Sequence, residues 1–399
     1  MSLFAFELGR KKELCFAELM AVLGNPRHSR ENGNRFVERN LDTAIFDLEE
    51  FDTIKLQDSL GGTIKIVEIF TDMPYQGSCK PLESSIMDFI STKLPDIFQN
   101  YQGKLPFALS FLSFKNPREL DTRKLLNFSK KILKSLGINC RFVNKNFENT
   151  KPSTIYKAHV IEKGIDLCLI KGIRDLFIGG SVTMQAIDSY SLRDYDKPKK
   201  DARVGMLPPK LAQVMINLAG TGTKTIYDPF CGTGTIPIEA MLMGKTAIGS
   251  DIDTRMVEFS KENCFWAQEK FETKSVFRIF EKDAKALIKS DLPEKIDAVI
   301  TEGYLGKPIS KVPDAKYQEY SFRELSDLHY NWLKKIHFLT PKTCKVVMCV
   351  TAYKVGNNLV HLPDFIELAR RAGYRVTETY TYDREEQIVA RDIKVLEKL

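Results

Sequence analysis

The sequence predicts an α/β protein in which a C-terminal, Rossmann-like doubly wound sheet follows two smaller α+β modules. From Pro209 onward, apolar strand-like runs alternate with helical segments and end in an antiparallel hairpin pattern, which is typical of such a sheet with a reversed edge strand. Before residue 187 the strands and helices are shorter and follow a βαβ rhythm in two blocks. The 399 residues are enough for two or three domains.

Composition excludes several other classes of protein. Hydrophobic residues make up 43% and charged residues 28% of the chain, as in ordinary globular proteins. No run approaches the about 18 apolar residues that span a bilayer, and the N-terminus does not have the order of charges of a signal peptide. The eight cysteines are scattered without a CxxC motif and the five histidines are dispersed. We therefore expect a cytoplasmic protein with reduced thiols and no metal site.

The first half of the chain divides into two modules at a turn-rich stretch, 71–82. Strand-like runs and one helix with a glycine stop predict a module over 1–71, with strands at 3–8, 36–48 and 62–70 and a helix at 13–24. The same patterns predict a second module over 72–186, with helices at 84–94, 121–137 and 153–163 and strands at 107–114, 138–144, 164–172 and 175–185.

Positive charge is concentrated in the second module. The segment 104–145 contains ten Lys or Arg against two acids, so it carries +8 while the whole chain carries +7. Such a block indicates a polyanionic partner, because each phosphate that is neutralised releases condensed counterions. The alternative is a solvated, lysine-rich helix. The candidate nucleic-acid contacts in this helix are Lys124, Lys130, Lys131 and Lys134.

A linker is predicted over 187–208, because this stretch is rich in charge, proline and tyrosine and has no helix or strand period. Tyr190 and Tyr195 alternate with basic residues, a pattern that can grip RNA bases and backbone. A flexible solvated linker is the alternative. The interleaved basic residues are Arg193, Lys197, Lys199, Lys200 and Arg203, and the candidate nucleic-acid contacts among them are Arg193, Lys199, Lys200 and Arg203.

The last predicted domain covers 209–399. Its helices are expected at 211–219, 236–244, 255–268, 321–339 and 362–373. Its strands are expected at 225–230, 246–252, 275–284, 296–306 and 345–353, followed by a hairpin over 374–398.

The strongest local motif is DPFCGTGT at 228–235, where a strand turns into a helix. Gly232 and Gly234 allow a tight turn and a close approach of the backbone to a ligand at the helix N-terminus. Asp251 ends the next strand, where nucleotide-binding α/β folds hold a ribose. The chain lacks GxGxxG at this turn, and its GKT sequence at 244–246 has Glu239 where the GxxxxGK[ST] motif requires its first glycine, which excludes a dinucleotide fingerprint and a P-loop.

The motifs DPFCGTGTIPIEA, GSDID and MLPPKLAQVMINLA resemble those of the S-adenosylmethionine-dependent RNA methyltransferases that carry a THUMP domain. Similarity is greatest to the tRNA guanosine-10 N2-methyltransferases, within a bacterial branch, and LGRKKELCFAEL and YDREEQIVARDIKVLEK extend it to both ends. The resemblance implies a class I methyltransferase domain preceded by ferredoxin-like and THUMP-like modules, with tRNA or another structured RNA as partner. It gives no indication of an activator subunit.

By position, the resemblance assigns the cofactor site to Asp228, Cys231, Gly232, Gly234, Asp251 and Asp283. Asp228 would orient the methionine end of S-adenosylmethionine, Asp251 would bind the ribose hydroxyls, and Asp283 would accept from the adenine amino group. Asp283 has an alternative interpretation as a helix cap. Cys231 lies inside the cofactor loop without a histidine partner, so a nucleophilic role is not expected.

The chain departs from the family at the next strand end, where amino-group methyltransferases carry Asp/Asn-Pro-Pro-Tyr/Phe. Here the sequence is TEGYLG at 301–306, so Glu302 takes the acidic position and Tyr304 supplies an aromatic ring one residue early. Glu302 can accept a hydrogen bond from a target amine and Tyr304 can hold the base, which makes them the catalytic candidates. The expected reaction is methyl transfer to an exocyclic amine of an RNA base, most of all guanine N2 in tRNA. The alternatives are a DNA amino-methyltransferase and a non-catalytic RNA-binding protein with a vestigial cofactor fold.

Overall fold

The computed structural model describes residues 2–24, 34–49, 51–75, 79–98, 101, 103–116, 119–201 and 206–399. The chain forms two compact units. The first comprises Met1–Phe16, Leu23–Asp58 and Gly62–Ile187, and the second comprises Ala17–Val22, Ser59–Gly61 and Asp188–Leu399. These are called the N-terminal unit and the C-terminal unit. In the described part of the chain no helix has both the length and the apolar character needed to cross a membrane.

The helices and strands up to residue 187 follow the predicted order with three differences. The strand predicted over 36–48 is two strands, the helix predicted over 153–163 is two short helices, and helix α2 was not predicted. The strands are β1 Ser2–Leu8, β2 Arg35–Asn40, β3 Thr43–Leu48, β4 Thr63–Pro74, β5 Lys104–Leu112, β6 Asn139–Phe142, β7 Ile165–Lys171 and β8 Asp175–Met184. The helices are α1 Lys12–Val22, α2 Thr53–Ser59, α3 Cys79–Phe98, α4 Thr122–Ser135, α5 Pro152–Lys157 and α6 Val160–Lys163.

These strands form one continuous eight-stranded sheet in the order β2-β3-β1-β4-β8-β7-β5-β6. Pairing is antiparallel except that β5 runs parallel to β6 and β7, with Leu109 opposite Leu167. Strand β4 runs through residue 71 and pairs with β1 on one side and β8 on the other. The division into ferredoxin-like and THUMP-like modules at this position stays a prediction.

Helix α4 shows how the basic segment folds. Asp121 caps its first turn by accepting from the Lys124 N–H at 2.9 Å. Its apolar side chains at helical spacing, including Leu126 and Leu133, are fully buried in the core of this unit, and this burial holds the helix on the sheet. Lys130, Lys131 and Lys134 lie on its exposed face, as the sequence predicted.

The predicted linker is partly helical, which corrects the expectation that 187–208 lacks regular structure. Helix α7 spans Ile187–Ser191, and a π turn follows over Leu192–Asp196. Tyr190 is buried at 8% exposure and Arg193 is buried as well. Local composition suggested a solvated segment, but contacts with distant residues bury these two side chains and stabilise the helical turns.

The C-terminal unit alternates helices and strands as predicted. Its helices are α8 Pro209–Leu218, α9 Thr235–Leu242, α10 Thr254–Lys270, α11 Ala315–Leu339 and α12 Phe365–Arg371. Its strands are β9 Thr225–Asp228, β10 Thr246–Asp251, β11 Phe277–Glu281, β12 Ala298–Thr301, β13 Lys345–Val355, β14 Asn358–His361, β15 Tyr374–Tyr382 and β16 Val389–Lys398. The short strand β14, which pairs with β13, was not predicted.

The sheet of this unit has the order β11-β10-β9-β12-β13-β16-β15. Strands β9 to β13 pair in parallel, whereas β16 is antiparallel to both β13 and β15. The reversed strand is therefore next to the edge and not at it, because the hairpin places its second strand between β13 and its first. The α/β, Rossmann-like fold class is confirmed. In such folds ligands bind outside the carboxyl ends of the parallel strands.

Candidate functional site

A cavity of about 900 Å³ lies at the carboxyl ends of β9, β10 and β12 in the C-terminal unit. Its volume is at the upper end of the range of about 300–1,000 Å³ that is usual for small-molecule sites. Seven of the eight residues predicted for the cofactor site and for catalysis line it: Asp228, Cys231, Gly232, Asp251, Asp283, Glu302 and Tyr304. Gly234 does not line it.

The turn between β9 and α9 depends on its two glycines. Gly232 has φ +50° and Gly234 has φ +86°, in the left-handed region that other residues rarely adopt. A Cβ on Gly234 would lie 2.6 Å from Ser260 Oγ, so this glycine allows the turn to pack against α10. A Cβ on Gly232 would meet no described atom within 4 Å, because this glycine faces open space at the cavity.

Asp251 is held by backbone groups at the end of β10. Its Oδ2 accepts from the Gly232 N–H at 2.9 Å and its Oδ1 accepts from the Asp253 N–H at 3.0 Å. Burial nevertheless raises the pKa of this carboxyl. Next to it in the cavity wall, Ile252 is 68% exposed and offers an apolar surface. A fixed acid beside an apolar side chain suits a ribose and the face of a base.

Asp228 is a buried acid with no ion pair in the described part of the chain. Its Oδ1 accepts from the Phe230 N–H at 3.0 Å, and the Thr301 hydroxyl also donates to this carboxyl. Burial is the larger effect and raises the pKa of Asp228 to about 7. Such a group gains from a bound cation, which would restore its negative charge.

The other two residues predicted for the cofactor site, Cys231 and Asp283, have clear local surroundings. Cys231 is 5% exposed, and burial raises the pKa of its thiol well above the ordinary value, so a thiolate nucleophile is disfavoured. Asp283 accepts from the Lys285 N–H at 2.9 Å and caps a single 3₁₀ turn. The cap and the cavity-lining position coexist, so the two interpretations of Asp283 are compatible.

Glu302 forms an ion pair that the sequence did not predict. Its Oε1 accepts from Arg391 Nε at 2.6 Å, and Arg391 in turn donates to Gln387 Oε1 at 3.2 Å. Burial raises the pKa of Glu302 while Arg391 lowers it, and the balance is a raised pKa. In the described part of the chain Oε2 has no hydrogen-bond partner, and the residue lines the cavity, so this oxygen can accept from a ligand.

The loop after β12 differs in backbone from a proline-containing loop. Gly303 has φ +68° and Gly306 has φ +98°, whereas proline is fixed near −65°. A proline at position 303 is therefore incompatible with this conformation. Tyr304 follows with 45% of its surface exposed and lines the cavity.

The predicted nucleic-acid contacts divide by exposure. Lys130, Lys131 and Lys134 are exposed, and Lys124 is half-exposed and paired with Glu83 at 2.7 Å. Lys199 and Lys200 keep partly or fully accessible side chains, with Lys199 at 3.3 Å from Glu262. Arg203 lies outside the described residues.

The prediction that Arg193 contacts nucleic acid was wrong. Its Nε donates to Glu239 at 2.7 Å, its Nη1 donates to Ser189 Oγ at 2.6 Å, and the guanidinium stacks on the Tyr190 ring. At 7% exposure it is a buried structural cation of the C-terminal unit, so it is removed from the predicted nucleic-acid contacts.

Sequence reasoning missed Arg391, and it placed Lys197 among the linker residues that could grip RNA, whereas Lys197 is buried. Arg391 lies on β16, 89 residues from Glu302 in the chain. Lys197 is buried beside Thr233 and Thr235, which line the cavity. The only sequence signal for either residue was a basic side chain in a segment rich in charge. Among the described residues no group of three His, Cys, Asp or Glu is placed to hold a metal ion.

Comparison with protein families supports a methyltransferase domain. Residues 197–317 match the family UPF0020, described as an RMKL-like methyltransferase domain. The same part of the chain contains the cofactor turn and the loop with Glu302. The expected methyltransferase class is confirmed for this region, whereas the domain bounds 209–399 stay a prediction.

Two similar curated proteins come from archaea. The tRNA (guanine(10)-N2)-dimethyltransferase of Methanothermobacter thermautotrophicus is 41% identical over 124 residues, which is 31% of this chain and 34% of that protein. The enzyme of the same name from Methanocaldococcus jannaschii is 30% identical over 169 residues, 42% of this chain and 45% of that protein. The alignments thus span between a third and a half of these relatives. The expected similarity to this group is confirmed.

Solved structures show the same fold over the whole chain. TrmN from Thermus thermophilus has a TM-score of 0.57 at 15% identity, and the match covers 100% of both chains. A possible methylase from Clostridium difficile 630 has a TM-score of 0.52 at 11% identity and covers 100% of this chain and 98% of the other. At these identities the likeness concerns the fold alone.

Proposed function

We propose that this protein, whose residues 197–317 belong to the UPF0020 methyltransferase domain family, transfers a methyl group from S-adenosylmethionine to the N2 amine of a guanine in tRNA. The observation that carries the proposal is that one cavity is lined both by the predicted cofactor residues and by the acidic loop after β12. A donor and a target amine held in this cavity would be close enough to react.

The residues present fit S-adenosylmethionine. The Gly232 position leaves open space at the turn, Asp251 is fixed for a ribose diol, and Asp228 is a buried acid suited to an ammonium group. Asp283 lines the same cavity and would accept from the adenine amino group. When bound, the cofactor supplies an electrophilic methyl group on a sulfonium.

Glu302 would act on the target amine. The lone pair of an exocyclic amine is delocalised into the base, which makes it a weak nucleophile. An acceptor for the N–H localises this lone pair, and the free Oε2 of Glu302 can be that acceptor while Arg391 fixes the other oxygen. Tyr304, exposed at the cavity, would hold the plane of the base.

tRNA as substrate rests on the names of the archaeal relatives and on the charge of the N-terminal unit. Those relatives are described as tRNA (guanine(10)-N2)-dimethyltransferases, so guanine N2 is the first target to test. The exposed lysines of α4 would bind phosphates of the RNA, and a tRNA substrate implies a cytoplasmic protein.

The first experiment incubates the full chain with labelled S-adenosylmethionine and separate pools of tRNA, rRNA and DNA, followed by nucleoside analysis. We expect label in tRNA as N2-methylated or N2-dimethylated guanosine. Label in DNA would favour a DNA amino-methyltransferase. Binding of both cofactor and RNA without transfer would favour a non-catalytic RNA-binding protein.

The role of Glu302 is tested with Glu302→Gln, which keeps the shape and removes the charge. We expect kcat to fall by about 10²-fold, equivalent to about 2.7 kcal/mol, with cofactor affinity nearly unchanged. The matched control is Glu294→Gln, which changes an exposed acid outside the cavity and should leave kcat unaltered. Full turnover in Glu302→Gln would place the acceptor elsewhere, for example at a backbone carbonyl of the loop.

RNA capture by α4 is tested by reversing Lys130, Lys131 and Lys134 to Glu. We expect tRNA affinity to fall steeply and its salt dependence to weaken, while cofactor affinity stays the same. The control reverses three exposed lysines elsewhere in the same unit, Lys55, Lys93 and Lys163, for the same change in net charge. Equal losses in both triple variants would indicate a general effect of charge and not a site on α4.

A further inference from the structure

Lys197 is a buried cation that has no ion-pair partner among the residues that the structure describes. Its side chain is 3% exposed, and its Nζ lies 3.1 Å from Thr233 Oγ1 and 3.1 Å from Thr235 Oγ1. No carboxylate of the described residues lies within 4 Å of this ammonium. The acid that could have paired with it, Glu239, is bonded to Arg193 instead. A buried ammonium is costly unless an anion is present for part of the working cycle.

The direction of these hydrogen bonds has a consequence for the cavity. A lysine ammonium can only donate, so both threonine oxygens must accept from Lys197. Each threonine retains its own hydroxyl proton, and no acceptor for either proton is present in the described part of the chain. Both threonines line the cavity whereas Lys197 does not, so the two O–H groups are available to a ligand there.

The start of α9 adds to this donor set. Thr235 is the first residue of the helix, and the preceding residue, Gly234, has no side chain that could accept from the first amides. The N-terminal end of a helix carries a partial positive charge and favours anions. Two hydroxyl donors, a helix N-terminus and a buried ammonium therefore converge on one side of the cavity.

We infer that Thr233 and Thr235 bind the carboxylate of the amino-acid end of the methyl donor, and that Lys197 is the positioning residue that orients and polarises their hydroxyls. The inference rests on the proposed cofactor. It also complements Asp228, which suits the ammonium of the same amino-acid group, so the two charges of the zwitterion would meet opposite partners. Burial lowers the pKa of Lys197 to about 8, and a bound carboxylate would raise it again.

The test compares two probes by calorimetry on the full chain. S-adenosylhomocysteine carries the carboxylate, and its decarboxylated analogue, S-adenosyl-3-thiopropylamine, keeps the adenosine, the thioether and the ammonium. We expect Lys197→Met to weaken S-adenosylhomocysteine binding by about tenfold or more and to leave the analogue unchanged, as expected for loss of a charged hydrogen-bond network. Lys342→Met, an exposed lysine of the same unit, is the control and should change neither affinity.

The outcomes separate the inference from the proposed function. If the parent protein binds neither probe, the proposed cofactor is wrong. If the parent binds both and Lys197→Met leaves both affinities unchanged, or lowers them equally, the carboxylate subsite is overturned while the cofactor stands. Should Lys197→Met fail to fold, the double variant Thr233→Val/Thr235→Val decides, because it removes the two hydroxyl donors. It should weaken the binding of S-adenosylhomocysteine and leave the affinity for the decarboxylated analogue unchanged.

Discussion

Two fully buried lysines, one in each unit, have opposite surroundings. In the N-terminal unit, Lys65 Nζ lies 2.6 Å from Asp166 Oδ2, and Asp166 also accepts from the hydroxyls of Ser110 and Ser181 at 2.5 Å each. Burial alone would lower the pKa of Lys65, but Asp166, together with Cys168 and Glu7, outweighs burial and the pKa is raised. In the C-terminal unit, Lys197 has only hydroxyl partners, and burial lowers its pKa.

The acids show the same contrast. Burial of Asp166 is outweighed by Lys65, so its pKa is lowered, whereas burial raises the pKa of Asp228 to about 7. In the N-terminal unit the buried charges neutralise each other and stabilise the sheet. In the C-terminal unit Arg193 and Arg391 are paired with acids, but Lys197 and Asp228 have no ion-pair partner among the described residues, as expected where binding energy from a charged ligand is to be used.

The largest expected effect is on the stability of the N-terminal unit. Lys65→Met leaves Asp166 buried without its cation, so the amides of β4 and β7 should lose about 3–5 kcal/mol of protection in native-state hydrogen exchange. Lys197→Met removes a charge that has no carboxylate partner, and the protection of β9 should change by much less. Equal losses in the two variants would remove the distinction between the two lysines.

Asp228→Asn should have the second-largest effect on stability, and this substitution should stabilise the folded chain. The pKa of Asp228 is near 7 in the folded chain and near 3.8 when unfolded, so ionisation of the unfolded chain costs stability as pH rises from about 4 to 7. The loss in the free energy of unfolding that Asp228 causes is at most about 4 kcal/mol above pH 7. The asparagine variant should therefore melt higher than the parent at pH 8, and the gain in stability should shrink to about a quarter of that value at pH 4.5. The variant should also bind S-adenosylhomocysteine more weakly.

Asp166→Asn is the matched variant for that experiment. Its carboxyl has a lowered pKa and an ion pair, so the substitution should lower the melting temperature at pH 8. A stabilised Asp166→Asn or a destabilised Asp228→Asn would contradict the assignment of structural charge to one unit and ligand-binding charge to the other.

The sequence predicted the alternation of elements and most of the cavity because both depend on local signals. Apolar periodicity locates β9 and β10, and a glycine-rich turn after β9 with Asp251 after β10 locates the cofactor side. The prediction that the reversed strand lies at the edge of the sheet was wrong, because strand order depends on pairing between segments that are distant in the chain.

The partners of buried charges could not be predicted for the same reason. Arg391 meets Glu302 across 89 residues and Arg193 meets Glu239 across 46 residues, and neither distance appears as a pattern in the sequence. A charged, proline-containing stretch ordinarily indicates a solvated linker. Here tertiary contacts override this tendency and bury both Arg193 and Lys197.

The smallest expected effect is a pH dependence that isolates Lys197. The affinity ratio of S-adenosylhomocysteine to its decarboxylated analogue cancels the effect of Asp228, because both probes carry the ammonium. Lys197 has a pKa of about 8, so the ratio should fall about five- to tenfold between pH 7 and pH 9 as the ammonium loses its proton.

The groups that act on Lys197 are Asp194, Glu239, Glu302 and Lys200, and of these Glu239 has a pKa raised by burial to about 7. When Glu239 ionises between pH 6 and 8, its negative charge would favour the protonated form of Lys197. The affinity ratio would then stay level or rise over this range, and it would fall only above pH 8. Lys197→Met should abolish the fall. A ratio that falls equally in the parent and in Lys197→Met would mean that the carboxylate is bound by groups other than the Lys197-supported threonines.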